Sequence, residues 1–296
     1  MQPLETIIPV LIRMQAALDA DLSLSAMSTL AGLSPFHFHR LFRQQTGETL
    51  KAYTLRLRLE RAAFRLLVHE ATILEIALDC GFHNHETFTR AFRKHFAQSP
   101  SQYRAARRSR IDQAVDTARE ILNDPQRRVE LSRVRLTRFR ETHLAFIRHV
   151  GPYEAVQDSL WAELVEWARR RGMNGPHMLL GIGHDAPSTT PSSLLRFDAA
   201  IRVESKFAPE GAIGHQTLPA GEFAMATHSG HYSTLPHAYA ALFPQLFRWK
   251  GYEITGLPAV EIYHTTAVNQ HYEMNHTGIH IPMRKITPGG ESEPPE

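Results

Sequence analysis

The chain has 296 residues, 43% hydrophobic and 21% charged, which is the composition of a globular protein long enough for two domains. No apolar run approaches the roughly 18 residues that span a bilayer, the N-terminus lacks a signal-peptide pattern, and the single cysteine, Cys80, excludes an internal disulfide and suits a reducing cytoplasm. The formal charge of +3 is unevenly spread: residues 1–110 carry fifteen Lys and Arg against nine Asp and Glu, the remainder eighteen against twenty-one, so an anionic partner is expected for the first part alone.

The first 110 residues predict helices throughout. Leu4 to Ala20 has helical apolar spacing, and Ser25 to Ala31 reads as a short helix closed by Gly32. Ser34 is a good N-cap with Pro35 at the first helical position, so SPFHFHRLFRQQTG begins another helix. A longer helix follows from Thr49 to about Glu70, then a short one from Ile73 to Cys80 ended by Gly81. Asn84 caps a helix reaching about Gln98, and Ser99-Pro100 starts the next. Ser109 to Leu122 is still helical, until Asn123-Asp124-Pro125 breaks the pattern.

Short helix, glycine turn and capped helix therefore occur twice, the helix-turn-helix arrangement. Phe38, Arg40, Phe42 and Arg43 recur as Phe88, Arg90, Phe92 and Arg93. Helical phase places Phe38, Leu41 and Phe42 on one stripe about 100° wide, with Phe36, Arg40 and Arg43 opposite and His39 flanking them. Phe88, Ala91 and Phe92 form the matching stripe in the second copy, opposite Glu86, Arg90 and Arg93. Outward arginines on a second helix suit guanine edges in a major groove, His39 suits a base edge, and Phe36 suits a thymine methyl. Glu86 stands where the first copy has Phe36 and would accept from cytosine N4, so the two helices should read different sequences in an asymmetric site. The connecting helix, at about 1.5 Å per residue, spans roughly 30 Å, close to the roughly 34–36 Å between successive major-groove faces. The alternative is a helical bundle with merely solvated arginines.

AMSTLAGLSPFHFHRLFRQQTGETLKAYTLRLRLERA, followed by ILEIALDCGFHNHETFTRAFRKHFAQSPSQYR, resembles the DNA-binding domain of the AraC/XylS family of transcription regulators. The resemblance implies base contacts from Phe36, His39 and Arg40 in the first reading helix and from His85, Glu86, Thr89 and Arg90 in the second. Phosphate contacts are expected from Arg43, Arg93, Lys94 and the cluster Arg104, Arg107, Arg108 and Arg110.

From Val129 the chain changes character, with strand-like and helix-like segments interleaved. FIRHVGPYEAVQDSLWAELVEWARRRGM, from Phe146, matches MATHSGHYSTLPHAYAALFPQLFRWKGY, from Met225, at a constant offset of 79 residues. Each copy reads as a strand, a glycine turn and an amphipathic helix, with further strands at Val129–Leu136, Ser193–Val203, Ala259–Tyr263 and Gly278–Met283. Two such units related by a pseudo-twofold would form an antiparallel sheet with two helices and a cleft where the copies meet. His149-Val150-Gly151-Pro152-Tyr153, the helix with Trp161 and Trp167, Pro258 to Tyr263 and the closing strand Ile279 to Met283 make this half similar to the GyrI-like effector-binding domain. That resemblance implies that Glu261 lies in a cleft favouring cationic or amphipathic ligands, with Tyr153, Trp161, Tyr232 and Tyr263 as wall residues. The alternative for Glu261 is a surface glutamate paired with Arg284 or Lys285, and for the tryptophans a place in the core. The chain departs from the family after Tyr263, where HTTAVNQHYEMNHTGIH has no proline and brings His271, His276 and His280 near His264.

The fold class expected is α+β in two domains: an all-α double helix-turn-helix domain at 1–110, a linker at 111–127, a duplicated strand–helix domain at 128–286, and a disordered tail at 287–296. The function expected is a cytoplasmic, sequence-specific transcription regulator that binds double-stranded DNA and a small-molecule effector, with RNA polymerase as a partner and no membrane association. Neither a catalytic residue, a cofactor nor a metal is expected: His228-x-x-His231 and His276-x-x-x-His280 have usable spacings, but no cysteine, HExxH or ordered carboxylate accompanies them. The alternatives are a small-molecule hydrolase using Glu261 as base with Tyr153 or Tyr232, and a protein-partner module.

Overall fold

The computed structural model describes residues 4–124, 129–264 and 275–286. The tail at 287–296, His271 and residues 125–127 of the expected linker lie outside the described residues. In chain order the helical part comprises α1 (Ile8–Ala16), α2 (Leu24–Leu30), α3 (Pro35–Thr46), α4 (Leu50–Val68), α5 (Ile73–Asp79), α6 (His85–Phe96), α7 (Pro100–Ala105) and α8 (Arg107–Asn123). Then follow β1 (Glu130–Leu131), β2 (Arg135–Phe139), β3 (Thr142–Val150), α9 (Ser159–Arg170), β4 (Leu179–Gly183), β5 (Arg196–Val203), β6 (Ile213–Leu218), β7 (Gly221–Ser229), α10 (Leu235–Leu246), β8 (Tyr252–Ile254), β9 (Ala259–Tyr263) and β10 (His276–Lys285). The class is α+β, a helical first part and antiparallel strands after it. No helix among the described residues is long and apolar enough to cross a membrane.

The caps are where local chemistry asks for them. Ser34 accepts from His37 N, Thr49 from Ala52 N, Asn84 from Thr87 N and Ser99 from Gln102 N, each satisfying a helix-end donor for about 1 kcal/mol. The first expected helix is shorter than its apolar spacing suggests. A short 3-10 turn (Leu4–Thr6) precedes α1, Pro9 can donate no backbone hydrogen bond, and the chain leaves the helix at Ala17. Arginines of α4 then take the freed carbonyls: Arg58 Nε donates to Leu18 O at 2.8 Å and Arg61 Nη2 to Gln15 O at 2.9 Å. Val129–Leu136 is likewise not one strand. Ser132 interrupts it by pairing its N–H with Thr227 O and accepting from Thr227 N on its hydroxyl, which separates β1 from β2.

By packing, the chain falls into two compact units, one from residues 1–107 and 142–218, the other from 108–141 and 219–296. The first holds α1–α7 and a four-stranded group in the order β4-β5-β3-β6. Its helices enclose two cores: Val10, Met14, Phe38, Phe42, Tyr53 and Leu57 in one, Leu59, Ala63, Leu66, Ile76, Phe88 and Phe92 in the other. Leu164, Trp167 and Ala168 of α9 cover Ala145, Ile147, Ala199 and Ile201 of its strands. In the second unit β10 is central, paired with β7, β8 and β9, while β1 and β2 pair with β7.

The duplication persists in the strand register. A shift of 79 residues carries the pair Thr142↔Leu218 of β3 and β6 onto Gly221↔Phe139 of β7 and β2. Each copy thus sends its first strand, β2 or β6, to pair with a strand of the other copy, β7 or β3. The turn glycines repeat as well, Gly151 at φ 142° and Gly230 at φ 146°. A Cβ on either would lie 3.2 Å from the His149 ring or 3.4 Å from the His228 ring, so close approach and backbone conformation both demand glycine.

Buried charge ties the helices of the first unit to its strands. Asp198, fully buried, accepts from Arg148 Nε at 2.7 Å and Nη2 at 2.8 Å, from His184 Nε2 at 2.7 Å and from Gln216 Nε2 at 2.9 Å. Gln15 of α1 donates to His184 Nδ1 at 2.9 Å, which fixes the neutral imidazole with its proton on Nε2, and accepts from Arg148 at 3.1 Å. Beside it Arg196 pairs with Asp185 and donates to the Tyr53 hydroxyl of α4 at 3.2 Å. Replacing Asp198 by alanine would leave the Arg148 guanidinium buried without its counter-charge, at a cost of about 3–5 kcal/mol. Urea unfolding should show a loss of that size, and a loss within about 1 kcal/mol, the range of a surface pair, would contradict it.

Candidate functional site

On α3 the phenylalanine pair turns inward, with Phe38 and Phe42 wholly buried and Leu41 4% exposed. The Phe42 ring meets Tyr53 of α4 edge-on at 5.3 Å. His39, Arg40 and Arg43 are exposed on the other side, and Phe36 leaves 81% of its surface in solvent. An aromatic left so bare is the outlier of this helix, because its burial elsewhere would release water from a large apolar face.

α6 repeats the division. Phe88 and Phe92 pack with Phe82, Phe96 and Tyr103 at ring separations of 4.6 to 5.4 Å. His85, Glu86, Thr89, Arg90, Arg93 and Lys94 line one shared depression on the opposite face. All but Thr89, which is half-buried, are exposed. Among the described residues no carboxylate pairs with Arg40, Arg43, Arg90, Arg93 or Lys94. Arg104 is different. It is half-buried and spends Nη2 on the Ala71 carbonyl at 2.6 Å, which ties α7 to the segment before α5. Arg107 is paired with Glu70.

The residues expected around an effector divide between the two units. Tyr153 and Trp161 are in the first, and both are anchored to backbone: Tyr153 donates to Asp185 O at 2.7 Å, and Trp161 Nε1 to Leu180 O at 2.8 Å. Glu261, Tyr263 and Tyr232 come together in the second. Glu261 is 8% exposed, accepting from Tyr263 OH at 2.6 Å on one oxygen and from Tyr239 OH at 3.0 Å on the other. The Tyr232 ring meets the Tyr263 ring edge-on at 5.6 Å. Arg284 pairs instead with Glu253, so it does not turn Glu261 to the surface. Burial pushes the Glu261 carboxyl above the ordinary range, opposed by the tyrosine hydrogen bonds. Tyr263 is raised well above its ordinary value by burial and the neighbouring carboxylate. Sequence patterns missed Tyr239. The repeat held a signal for it, because Tyr239 stands where the first copy has the apolar Leu160.

Two helix-turn-helix units on one connector are thus followed by a duplicated strand–helix domain with a buried carboxylate among tyrosines. Residues 133–284 match the GyrI-like small molecule binding domain and residues 27–106 a helix-turn-helix domain, and the chain belongs to the GyrI-like family with an AraC-type helix-turn-helix region ahead of it. It is 43% identical over 94 residues to the right origin-binding protein of Escherichia coli, a match covering 32% of each chain. The chain thus spans about a third of the length of that relative. It is also 37% identical over 87 residues to the regulatory protein SoxS of Salmonella typhimurium, covering 29% of this chain and 81% of that one. Among solved structures, the C-terminal domain of EcmrR is 21% identical with a TM-score of 0.42, covering 52% of this chain and 98% of that one.

Because the Glu261 carboxyl titrates higher in the folded chain than in the unfolded one, it favours folding least at high pH. The penalty grows as pH rises through the window between the two values and vanishes below it. Glu261→Gln should therefore melt at a higher temperature than the native chain at neutral pH, with the gain shrinking once pH falls below the ordinary carboxylate range. Thermal melts across that range check the sign, and a lower melting temperature for the variant at neutral pH would refute it.

Proposed function

We propose that this chain is a one-component transcription regulator whose two reading helices bind an asymmetric promoter site while its GyrI-like half binds a small organic cation. The observation that carries this reading is the paired division of α3 and α6. Each buries a phenylalanine pair and turns an exposed arginine face to solvent, and a single 19-residue helix, about 28 Å long, connects them. Residues 1–110 form the DNA-reading domain in this account, 111–127 the linker and 128–286 the effector domain.

Arg40 and Arg90 take guanine edges, with His39, His85 and Thr89 beside them. Glu86 accepts from cytosine, and the bare ring of Phe36 covers a thymine methyl. Arg43, Arg93 and Lys94 hold phosphate, which adds affinity and salt dependence rather than sequence preference. Glu261 acts as a binding group and not as a catalytic base: each oxygen already accepts a tyrosine hydroxyl, which leaves a second lone pair free for an N–H donor of a cation. An effector regulates only through unequal affinity for two states of the protein. RNA polymerase at the bound promoter is the partner through which occupancy becomes transcription, and the cytoplasm is the compartment.

Selection of bound sequences from random duplex, followed by titration at several salt concentrations, tests the assignment. Arg40→Ala and Arg90→Ala should each cost about 1–3 kcal/mol on the selected site and relax preference at one position. Arg43→Ala and Arg93→Ala should weaken all sequences alike and lower the salt slope by about one each. Unchanged specific binding in both Arg40→Ala and Arg90→Ala would refute the reading.

A further inference from the structure

The two copies of the duplicated domain share strand register but fill the same place differently. In the first copy, His149, Phe197 and Gly183 lie side by side across β3, β5 and β4, and Ile147, Ala199 and Gly181 form the next row on that face. In the second copy the corresponding rows across β7, β10 and β9 are His228, Thr277 and Tyr263, then Ala226, Ile279 and Glu261. Residues directly opposite in antiparallel strands point to one face, so each set is a continuous lining.

The first copy closes this lining with its own side chains. Tyr153 sits over Gly183, its hydroxyl 3.6 Å from where a Cβ would stand, and its ring meets Phe197 at 5.9 Å. Trp161 meets Phe197 from another side at 6.0 Å. Polar atoms are satisfied there: His149 Nε2 lies 3.2 Å from Pro152 O.

The second copy replaces Phe197 by Thr277, Gly183 by Tyr263 and Gly181 by Glu261. His228 and Thr277 are wholly buried and Asn275 is 4% exposed, yet His228 Nδ1, Thr277 Oγ1 and Asn275 Nδ2 have no hydrogen-bond partner among the described residues. The His228 tautomer follows from its neighbour. Thr234 gives its hydroxyl proton to His231 O at 2.7 Å, so at 2.8 Å from His228 Nε2 it must accept. The proton is on Nε2, and Nδ1 is left as an unmet acceptor. Burial lowers this imidazole to about 4, so it stays neutral at physiological pH. Three unmet groups beside one another, each worth about 1–3 kcal/mol when left unpaired, are expensive to keep in a free protein.

We infer that the row His228–Thr277–Tyr263, with Asn275 at its end, is the polar end of the effector site, and that the effector is an organic amine carrying a hydroxyl or similar group that both donates and accepts. This rests on the reading that Glu261 receives the cationic nitrogen. Its hydroxyl would donate to His228 Nδ1 and accept from Thr277 or Asn275. Thr277 stands one strand across and one row along from Glu261, which by strand spacings of about 4.8 Å and 6.8 Å sets the two polar groups of the ligand roughly 8 Å apart. The tyrosines between them suit a flat, apolar body. Tyr153 and Trp161 belong to the closed copy and line no part of this site.

Tyramine and phenethylamine, which differ only in the far hydroxyl, serve as probes in calorimetric titration of the full chain. The native chain should bind tyramine roughly tenfold more tightly. Thr277→Val should remove that preference while leaving phenethylamine unchanged, and Glu261→Gln should weaken both amines. Without ligand, Thr277→Val should raise the melting temperature, because it deletes an unmet buried hydroxyl. A lowered melting temperature would mean that the hydroxyl is already satisfied within the protein, and would overturn the inference. Equal binding of the two amines, with the melting temperature raised, would mean that the ligand hydroxyl does not reach the row, and would overturn it too while leaving the cationic reading of Glu261 standing. Binding of neither amine would overturn both.

Discussion

Helix α4 is the member on which the rest of the first unit depends. Leu50, Tyr53 and Leu57 on its first half close the core under α3, and Leu59, Ala62, Ala63 and Leu66 on its second half close the core under α6. Polar side chains near it add further ties, while Lys51, Ala52 and Leu55 face solvent. Arg58 and Arg61 hold the end of α1, Arg56 makes a buried pair with Glu48 and Glu60, and Tyr53 accepts from Arg196. A helix shared by two cores cannot bend without disturbing one of them, so the separation of α3 and α6 is a property of the fold. That rigidity gives the outward arginines a meaning that solvated arginines on a bundle would lack.

The same helix also bonds to the strand-bearing part of its unit. Thr190 donates to Glu60 at 2.7 Å and Arg196 reaches Tyr53, so α4 and the strand group β4-β5-β3-β6 share one buried polar network. Burial raises the Glu60 carboxyl to about 7 against the pull of Arg56. The duplicated domain, by contrast, achieves specialisation by substitution on a common frame. Its copies exchange first strands in identical register, and three replacements turn an aromatic-filled face into a polar one.

Much of this is legible in the sequence, for definite reasons. Caps at Ser34 and Asn84 and the phenylalanine spacing fix the phase of α3 and α6, because a helix sorts side chains by a 3.6-residue period whatever surrounds it. The gap-free offset between the copies likewise announces the repeat. The strand exchange is not legible, since β2 and β6 carry the same alternation whichever copy they join. Nor is the Arg196–Asp185–Tyr53 group, whose members are joined by packing across 143 positions. Tyr153 and Trp161 show the limit of motif reasoning. They match the pattern expected of cavity walls, yet their polar atoms are bound to backbone carbonyls and their rings pack on Phe197, in the copy that has Gly181 where the other has Glu261. Arg104 shows the same limit on the DNA side, where a basic residue in a basic cluster turns out to hold a backbone carbonyl.

The most direct test of this account is to move the two halves of a selected DNA site apart by half a helical turn and by a full turn, and to measure the affinity of each duplex. A connector built into two cores, as α4 is, cannot stretch to follow. Binding of both spaced duplexes should therefore fall to the level of unrelated DNA. Retention of specific affinity after a full-turn insertion would show that the two helices do not read as one rigid pair, and would contradict the central claim.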